Sequence, residues 1–475
     1  MAVPQVYFRR AGKSHRLTGA FTGRLDFFLL SSFEEERRKR KEDGLDSPLI
    51  LITGSTGYIA SRLIPRLLES GYRVRCLARE PRRLEGRSWF PRVEVVQGDV
   101  TAASGLRRAL EGVQTAYYFI HNMSYGRGYT AIERESARGF ASAAQEAGVE
   151  HIIYLGGLAD PEQHIAPHMR SRIETGQVLR AGNVPVTEFR AGVIIGSGSI
   201  SFEMIRFMAE LFPLVPGPLW MKNRSQPIAI RNVIDYLLAA LTNPNGRGGV
   251  FEIGGPDIIT YGDLMLGYAR VRRLKRRLIL LPGIPLWLMA LGVDLMTPVP
   301  YPIAYALIDG LSADSVVKHP QALQVFPEVR LIDFDSATKN ALEQTHPTHI
   351  ERVWPDGERR SIRHEGCFID HGALTVDTGL EEVFRALVEF SAKNDWKIEA
   401  NKANQQVIVC MENHIAGRKW AEWRIRHVAD VTYISQTVFF CPRGLPGFLY
   451  RYLLYPFHLF TFRGLIKAIA KQSKT

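Results

Sequence analysis

A run of small residues at fixed spacing carries the sharpest chemistry in this chain. Gly54, Ser55, Thr56, Gly57, Tyr58, Ile59 and Ala60 fit G-x-x-G-x-x-G/A. In such a run the first glycine takes a tight turn and the second lets the backbone approach a pyrophosphate. The third small residue lets a helix pack close to a sheet. The N–H groups that open the next helix point at the phosphates, and its dipole favours negative charge there. The pattern alone is weak, and its context makes it specific. Leu49–Thr53 is a short apolar run suited to a strand buried on both faces, Tyr58–Glu69 reads as a helix that Gly71 ends, and Tyr72–Ala78 reads as a second strand. The chemistry implied is dinucleotide binding.

The end of the second strand bears on which dinucleotide. An acid placed there bonds the ribose hydroxyls of NAD. Here the strand runs into Arg79, with Arg82 and Arg83 close behind. Arginine holds a 2′-phosphate through forked, charge-assisted bonds, so NADPH is preferred over NADH. Asp99, after the third strand, is placed to contact the adenine edge. Tyr118, His121 and Tyr125 stand near the end of the fourth strand and are proton donors by type; the plainer reading makes them walls of the cofactor cleft.

These residues need a frame. From Leu49 to Arg190, strands at 49–53, 73–78, 93–96, 115–120, 151–155 and 186–190 alternate with helices at 57–70, 104–111, near 129–147 and near 170–181. That alternation predicts a doubly wound parallel sheet, an α/β Rossmann arrangement, with ligands at the carboxyl ends of the strands. Beyond it, a helix over 201–211, a turn-rich connection at 213–218, a strand at 228–230, a helix at 233–241 and a strand at 250–253 complete a domain over 48–330. A small, mostly helical substrate lobe over 260–330 belongs to it. Residues 331–360 read as a polar linker. Residues 361–475 follow other rules: strand-like runs at 373–376, 406–411, 419–427 and 432–440, a helix at 379–390 and an aromatic-rich helix at 447–470. One curved antiparallel sheet wrapped on a long helix fits that order.

The 475 residues, 46% hydrophobic and 23% charged, are enough for two or three domains and a large core. The net charge of +12 suits an anionic cofactor, an acidic membrane surface or nucleic acid, but no nucleic-acid motif accompanies it. Cys76, Cys367, Cys410 and Cys441 show no metal or redox spacing, which fits a reducing compartment. No uncharged apolar run reaches the ~18 residues of a spanning helix. Val271–Arg277 has five basic residues in seven and leads into the apolar, proline-broken stretch 278–308. Peripheral membrane contact through 271–293 is one reading; a solvated helix end beside a buried lobe is the other. Residues 1–47 read as a disordered or targeting extension, because Met1–Leu25 holds five Arg or Lys and no acid. The location expected is cytoplasmic, at a membrane or not, or mitochondrial if residues 1–30 form a transit peptide.

Thr53–Ala60, Gly98-Asp99-Val100, Tyr117–His121 and Phe189–Gly192 resemble the atypical short-chain dehydrogenase/reductases, in the branch of NmrA-like proteins and the Rossmann-type accessory subunit of respiratory complex I. Gly417–Trp423, Pro442–Leu445, Tyr455–His458 and Phe462–Gly464 resemble a domain of unknown function related to START and polyketide-cyclase folds, which implies an α+β helix-grip domain over 361–475. The family resemblance adds Val100 and His121 to the cofactor contacts. That family works with a Ser, then a Tyr and a Lys four residues apart, the Lys lowering the Tyr pKa for proton transfer. This chain has Gly156-Gly157 where the Ser belongs and His168-Met-Arg-Ser-Arg172 where Tyr-x-x-x-Lys belongs. Arg172 can hold the nicotinamide ribose but cannot relay a proton. His168, by its ordinary pKa, titrates in the range of a catalytic acid or base, and Tyr118 is the other candidate. The implied activity is an NADPH-dependent oxidoreductase or isomerase acting on a hydrophobic small molecule. The alternatives are a nucleotide-binding sensor or assembly factor without turnover, and a carrier of lipid-like ligands through the C-terminal domain. No set of residues has metal-ligand spacing.

Overall fold

A computed structural model describes residues 47–472, apart from 122–127, 161, 164, 298, 355–359, 412–415 and 429–430. The extension before residue 47 and Tyr125 therefore lie outside the described residues. In chain order the longer elements are β1 (Leu49–Ile52), α1 (Tyr58–Glu69), β2 (Arg73–Ala78), β3 (Glu94–Gln97), α2 (Ala103–Leu110), β4 (Thr115–Tyr118), α3 (Tyr129–Glu146), β5 (His151–Gly157), α4 (Pro167–Arg180) and β6 (Val186–Ala191). Then come α5 (Ile200–Leu211), β7 (Leu214–Pro218), α6 (Ile230–Thr242), β8 (Val250–Ile253), α7 (Tyr261–Val271), β9 (Arg277–Leu281), α8 (Leu286–Met296), α9 (Tyr301–Gly310) and α10 (Phe334–Glu343). The last elements are β10 (Arg360–His364), β11 (Cys367–Val376), α11 (Leu380–Lys393), β12 (Lys397–Lys402), β13 (Gln406–Cys410), β14 (Gly417–Val428), β15 (Val431–Pro442) and α12 (Gly444–Gln472).

The chain forms two compact units. One holds the residues up to Gly192 with Ile228–Pro256 and Ala313–Ile332. Its sheet has seven strands in the order β8-β6-β5-β4-β1-β2-β3, and every described pairing in it is parallel. The order reverses between β1 and β4, which opens the crevice where such sheets bind ligands. The central strands β1 and β5 are buried on both faces, as parallel strands under helices require. Tyr117 and Tyr118 show the alternation: the Tyr117 hydroxyl donates to the Leu237 carbonyl of α6 (2.7 Å), whereas the Tyr118 ring enters the layer under α3 with Phe140 and Leu179.

The other unit holds Val193–Pro227, Asp257–Ser312 and the chain from Asp333 onward. Residues 213–218, expected as a connection, include β7, which pairs in parallel with β9. A helix, α10, stands inside the stretch read as linker: Asp333 caps it by accepting from the Ser336 N–H (2.9 Å), and it buries Phe334, Ala337 and Ala341. The C-terminal sheet is six-stranded and antiparallel, in the order β10-β11-β15-β14-β13-β12. Val383 and Leu387 of α11 and Ile466 and Ile469 of α12 cover one face over Trp423 and Ile434. Trp354, Ile369, Trp420 and Phe439 form the core on the other face. Cys367 and Cys441 stand next to each other on β11 and β15, with Cα atoms 4.3 Å apart, and are joined by a disulfide. The pair stands against the expectation that the cysteine usage fits a reducing compartment. Antiparallel pairing unites residues 74 apart, which spacing along the chain does not reveal.

Candidate nucleotide and reaction site

The site is built at the carboxyl ends of β1, β2, β4 and β5. At the end of β1, the Thr53 hydroxyl donates to the Tyr117 carbonyl (3.0 Å) and accepts from the Phe119 N–H (3.0 Å). These two bonds fix the crevice between β1 and β4. Gly54 follows at φ +62°, the left-handed region that a Cβ disfavours, and a Cβ there would strike the Phe119 carbonyl oxygen. The Gly57 N–H closes the turn on the Gly54 carbonyl (2.8 Å). α1 then starts from Gly57 with no side-chain cap and no acid in its first turn. An uncapped helix start beside a close-approach glycine suits an anion. The residues Gly54 to Ile59 thus fit a pyrophosphate, with one change of role. Ser55 is 1% exposed and its hydroxyl donates to the Leu77 carbonyl (3.0 Å). Its side chain ties the turn to β2 and does not face the crevice.

At the end of β2, Arg79 is exposed, as are Glu80 beside it and Arg82 and Arg83 on the turn Pro81–Leu84. A fourth arginine, missed in the sequence, lies closer in. Arg87 is 5% exposed, and its Nη2 donates to the Thr56 carbonyl of the glycine turn (3.3 Å). Only the buried Leu84 and Trp89 beside it set it apart from its surface neighbours, and no repeat in the sequence marks them. Asp99 spends one carboxylate oxygen on the Thr101 N–H and hydroxyl (both 2.9 Å). Val100 is buried in the core with Leu77 and Leu106.

The other end of the crevice is formed by His121 after β4 and by α4. His168 and Arg172 lie one helical turn apart, so both face the same way. His168 is 5% exposed and so is not a surface histidine. Burial, reinforced by the Arg172 guanidinium, pushes its pKa down to about 4. His121 is also held well below the usual histidine value, by burial first and then by Arg172 and His168. The expectation that His168 titrates near neutrality is therefore corrected: both imidazoles are neutral beside one cation. Among the described residues, Nδ1 of His168 and Nε of Arg172 are buried without a hydrogen-bond partner. Buried polar atoms in that state are costly unless a ligand completes them.

Packing accounts for Gly157. A Cβ there would lie 2.6 Å from Cε and 2.8 Å from Sδ of Met169, and 3.1 Å from Cδ of Arg172. α4 thus crosses the end of β5 where a serine side chain would stand. Two ties hold the helix there. The Tyr154 hydroxyl donates to the Arg172 carbonyl (2.9 Å), and the Ser171 hydroxyl donates to the Glu133 carboxylate of α3. Tyr118 is corrected as a proton donor. Its ring is 1% exposed, 4.9 Å from that of Phe140 and 6.2 Å from that of Tyr154. Burial, with Tyr154 and Glu133 adding to it, raises its phenol pKa far above the usual value. Among the described residues no cluster of His, Cys, Asp or Glu could hold a metal ion, and no helix is long and apolar enough to cross a membrane.

The NmrA-like family pattern matches residues 46–209. A (4-alkanoyl-5-oxo-2,5-dihydrofuran-3-yl)methyl phosphate reductase of Streptomyces griseus is 31% identical over 272 residues, 55% of this chain and 85% of that protein. A ceramide reductase of Caulobacter vibrioides is 28% identical over 247 residues, 49% of this chain and 74% of the relative. In fold, the triphenylmethane reductase of Citrobacter sp., solved with NADP(H), superposes with a TM-score of 0.51 at 18% identity, over 62% of this chain and 99% of the other. The glycine turn, the strand order and these matches agree: the chain belongs to the NmrA-like family of reductase-like proteins built on a Rossmann fold.

Proposed function

We propose that this protein is an NADPH-dependent reductase of a hydrophobic small molecule with a conjugated acceptor, such as an enone or quinone. The observation that carries the reading is the pair of neutral imidazoles beside Arg172, with buried polar atoms on His168 and Arg172 left for a ligand to complete. When bound, the cofactor would supply hydride. The residues from Gly54 to Ile59 would hold its pyrophosphate, and Arg172 its nicotinamide ribose. Arg79 would hold the 2′-phosphate against the competing charge of Glu80, and Arg87 would brace the turn. Asp99, Val100 and His121 would line the adenine and nicotinamide ends.

With its pKa pushed down to about 4 by burial and Arg172, His168 is neutral at pH 7. It therefore serves as an N–H donor to a substrate oxygen as negative charge grows there, and not as a proton source. That role suits an acceptor whose enolate or hydroquinone anion persists until water protonates it. A substrate with an apolar chain is supported by the named substrates of the two relatives, a ring that bears an alkanoyl group together with a methyl phosphate, and ceramide.

The test is a fluorescence titration with NADPH and NADH, followed by turnover on panels of aldehydes, quinones and enones. The expected result is tighter NADPH binding, with oxidation driven by enones or quinones. Tight binding with no turnover on any panel would overturn the enzyme reading in favour of a nucleotide-binding sensor or assembly factor. For the C-terminal sheet we propose a START-like helix grip. Its support is the cover of α11 and α12 on one face, where Arg451 of α12 pairs with Asp370 (3.1 Å).

A further inference from the structure

The second unit carries an apolar surface that folding leaves uncovered. From Leu278 to Ile308 the sequence has one charged residue, Asp294, and its carboxylate accepts from the Tyr301 N–H (3.0 Å) to hold the start of α9. α8 is apolar on both sides. Ala290 and Val293 face the core at 0% and 3% exposure. Trp287, Leu288, Leu291 and Leu295, 56%, 47%, 39% and 68% exposed, form one stripe along the opposite side. Positions i, i+1, i+4 and i+8 of a helix fall within about 100° of arc, so the four project together. A solvent-facing helix side is normally polar.

The same character continues through the neighbouring ribbon. Arg277, Ile279 and Leu281 alternate outward along β9, and Leu214 stands beside Arg277 in the pairing with β7. Only four residues separate β9 from α8. At the other end of β9 lies the basic run, where Arg273, Lys275 and Arg277 are exposed. Tyr301 and Tyr305, 36% and 41% exposed, add aromatic rings on α9.

We infer that this face of the second unit, β9 with α8 and its basic approach, docks on a bilayer surface bearing anionic lipid. Exposed apolar side chains with Trp and Tyr enter the headgroup boundary, while adjacent cations hold the anionic surface. Charge selects this occupant over a second copy of the chain. A self-complementary contact would bring two copies of the basic run together in a protein of net charge +12. The inference stands apart from the reductase reading, since it uses no residue of the nucleotide crevice.

The experiment is co-sedimentation of the full chain with vesicles of phosphatidylcholine alone and with about a third phosphatidylserine. Binding is expected only with phosphatidylserine and falls with salt, because each cation contributes about fivefold. Leu288→Asp with Leu295→Asp should lose binding by at least about tenfold, and Arg273→Glu with Lys275→Glu and Arg277→Glu by more. NADPH affinity should stay unchanged in both, which certifies the fold. A reading on an intact surface uses brominated lipid: it should quench tryptophan fluorescence in the wild type, and Trp287→Phe should remove most of that quenching while sedimentation persists. Absence of wild-type binding at millimolar lipid would overturn the proposal. So would binding indifferent to both sets of charge changes, or a dimer in sedimentation velocity that only the Asp variants dissociate.

Discussion

The two ends of the nucleotide crevice are completed differently. At the glycine turn the protein satisfies its own side chains: Thr53 bridges β1 and β4, Ser55 is tied to β2, and Asp99 caps its own turn. What is offered to a ligand there is backbone. At α4 the reverse holds. The backbone is pinned by Tyr154, the helix by Ser171 and Glu133, and buried atoms of His168 and Arg172 are left unsatisfied among the described residues. On the proposed reading, binding would rest on backbone shape and chemistry on side chains. That is why the first can keep the family pattern while the second departs from it.

The largest effect that would break this contrast is at the backbone end. Gly54→Val puts a β-branched residue at φ +62° against the Phe119 carbonyl. It should cost about 3 kcal/mol or more in stability or binding, read as an NADPH affinity at least about a hundredfold weaker. Retained affinity would show that the turn does not carry the pyrophosphate.

The next is at the side-chain end. His168 binds its proton less tightly folded, at about 4, than at its ordinary 6.5. Between those values the unfolded chain holds more protons, so stability is fully present above pH 6.5 and is lost as pH falls toward 4. The loss by pH 4.5 is about 2–3 kcal/mol. His168→Gln should remove that part of the acid slope in urea midpoints taken at pH 7 and 4.5. The kcat/KM of the wild type should show no inflection near 6.5; one that disappears in His168→Gln would restore the acid–base role.

Gly157→Ser tests packing. The added side chain must displace Met169 and Arg172, and overpacking of this kind costs about 1–3 kcal/mol. Turnover should fall at least about tenfold with a smaller change in NADPH affinity, and Met169→Ala should recover part of it. The smallest effect is expected at Arg79, exposed and screened by solvent. Arg79→Ala should narrow the NADPH-over-NADH preference by about three- to tenfold. An unchanged ratio would shift the 2′-phosphate contact to Arg82, Arg83 or Arg87.

The sequence makes the frame readable because strands buried on both faces have one composition. Leu49–Ile52 and His151–Gly157, buried throughout, fall where the apolar runs place them. The polar edge strands Arg360–His364 and Lys397–Lys402 escaped notice because edges are protected by charge and lack the alternation of inner strands. At the site, the replacement of Ser, Tyr and Lys was visible, but its cause was not. That Met169 lies over Gly157, that Tyr118 turns toward Phe140, and that Arg87 reaches the glycine turn are matters of which face a residue takes. When helices cover both faces of a sheet, composition does not say which.

The fit of α4 over Gly157 has a consequence for redesign. A serine at 157 collides with Met169 and Arg172 as they now stand, and a tyrosine at 168 would have to enter the space of a buried imidazole. Each change alone meets a side chain that must move: the end of Met169 for the serine, and the neighbours of the buried imidazole for the tyrosine. A variant that restores Ser, Tyr and Lys at these positions must therefore repack Met169 and the space around His168 together.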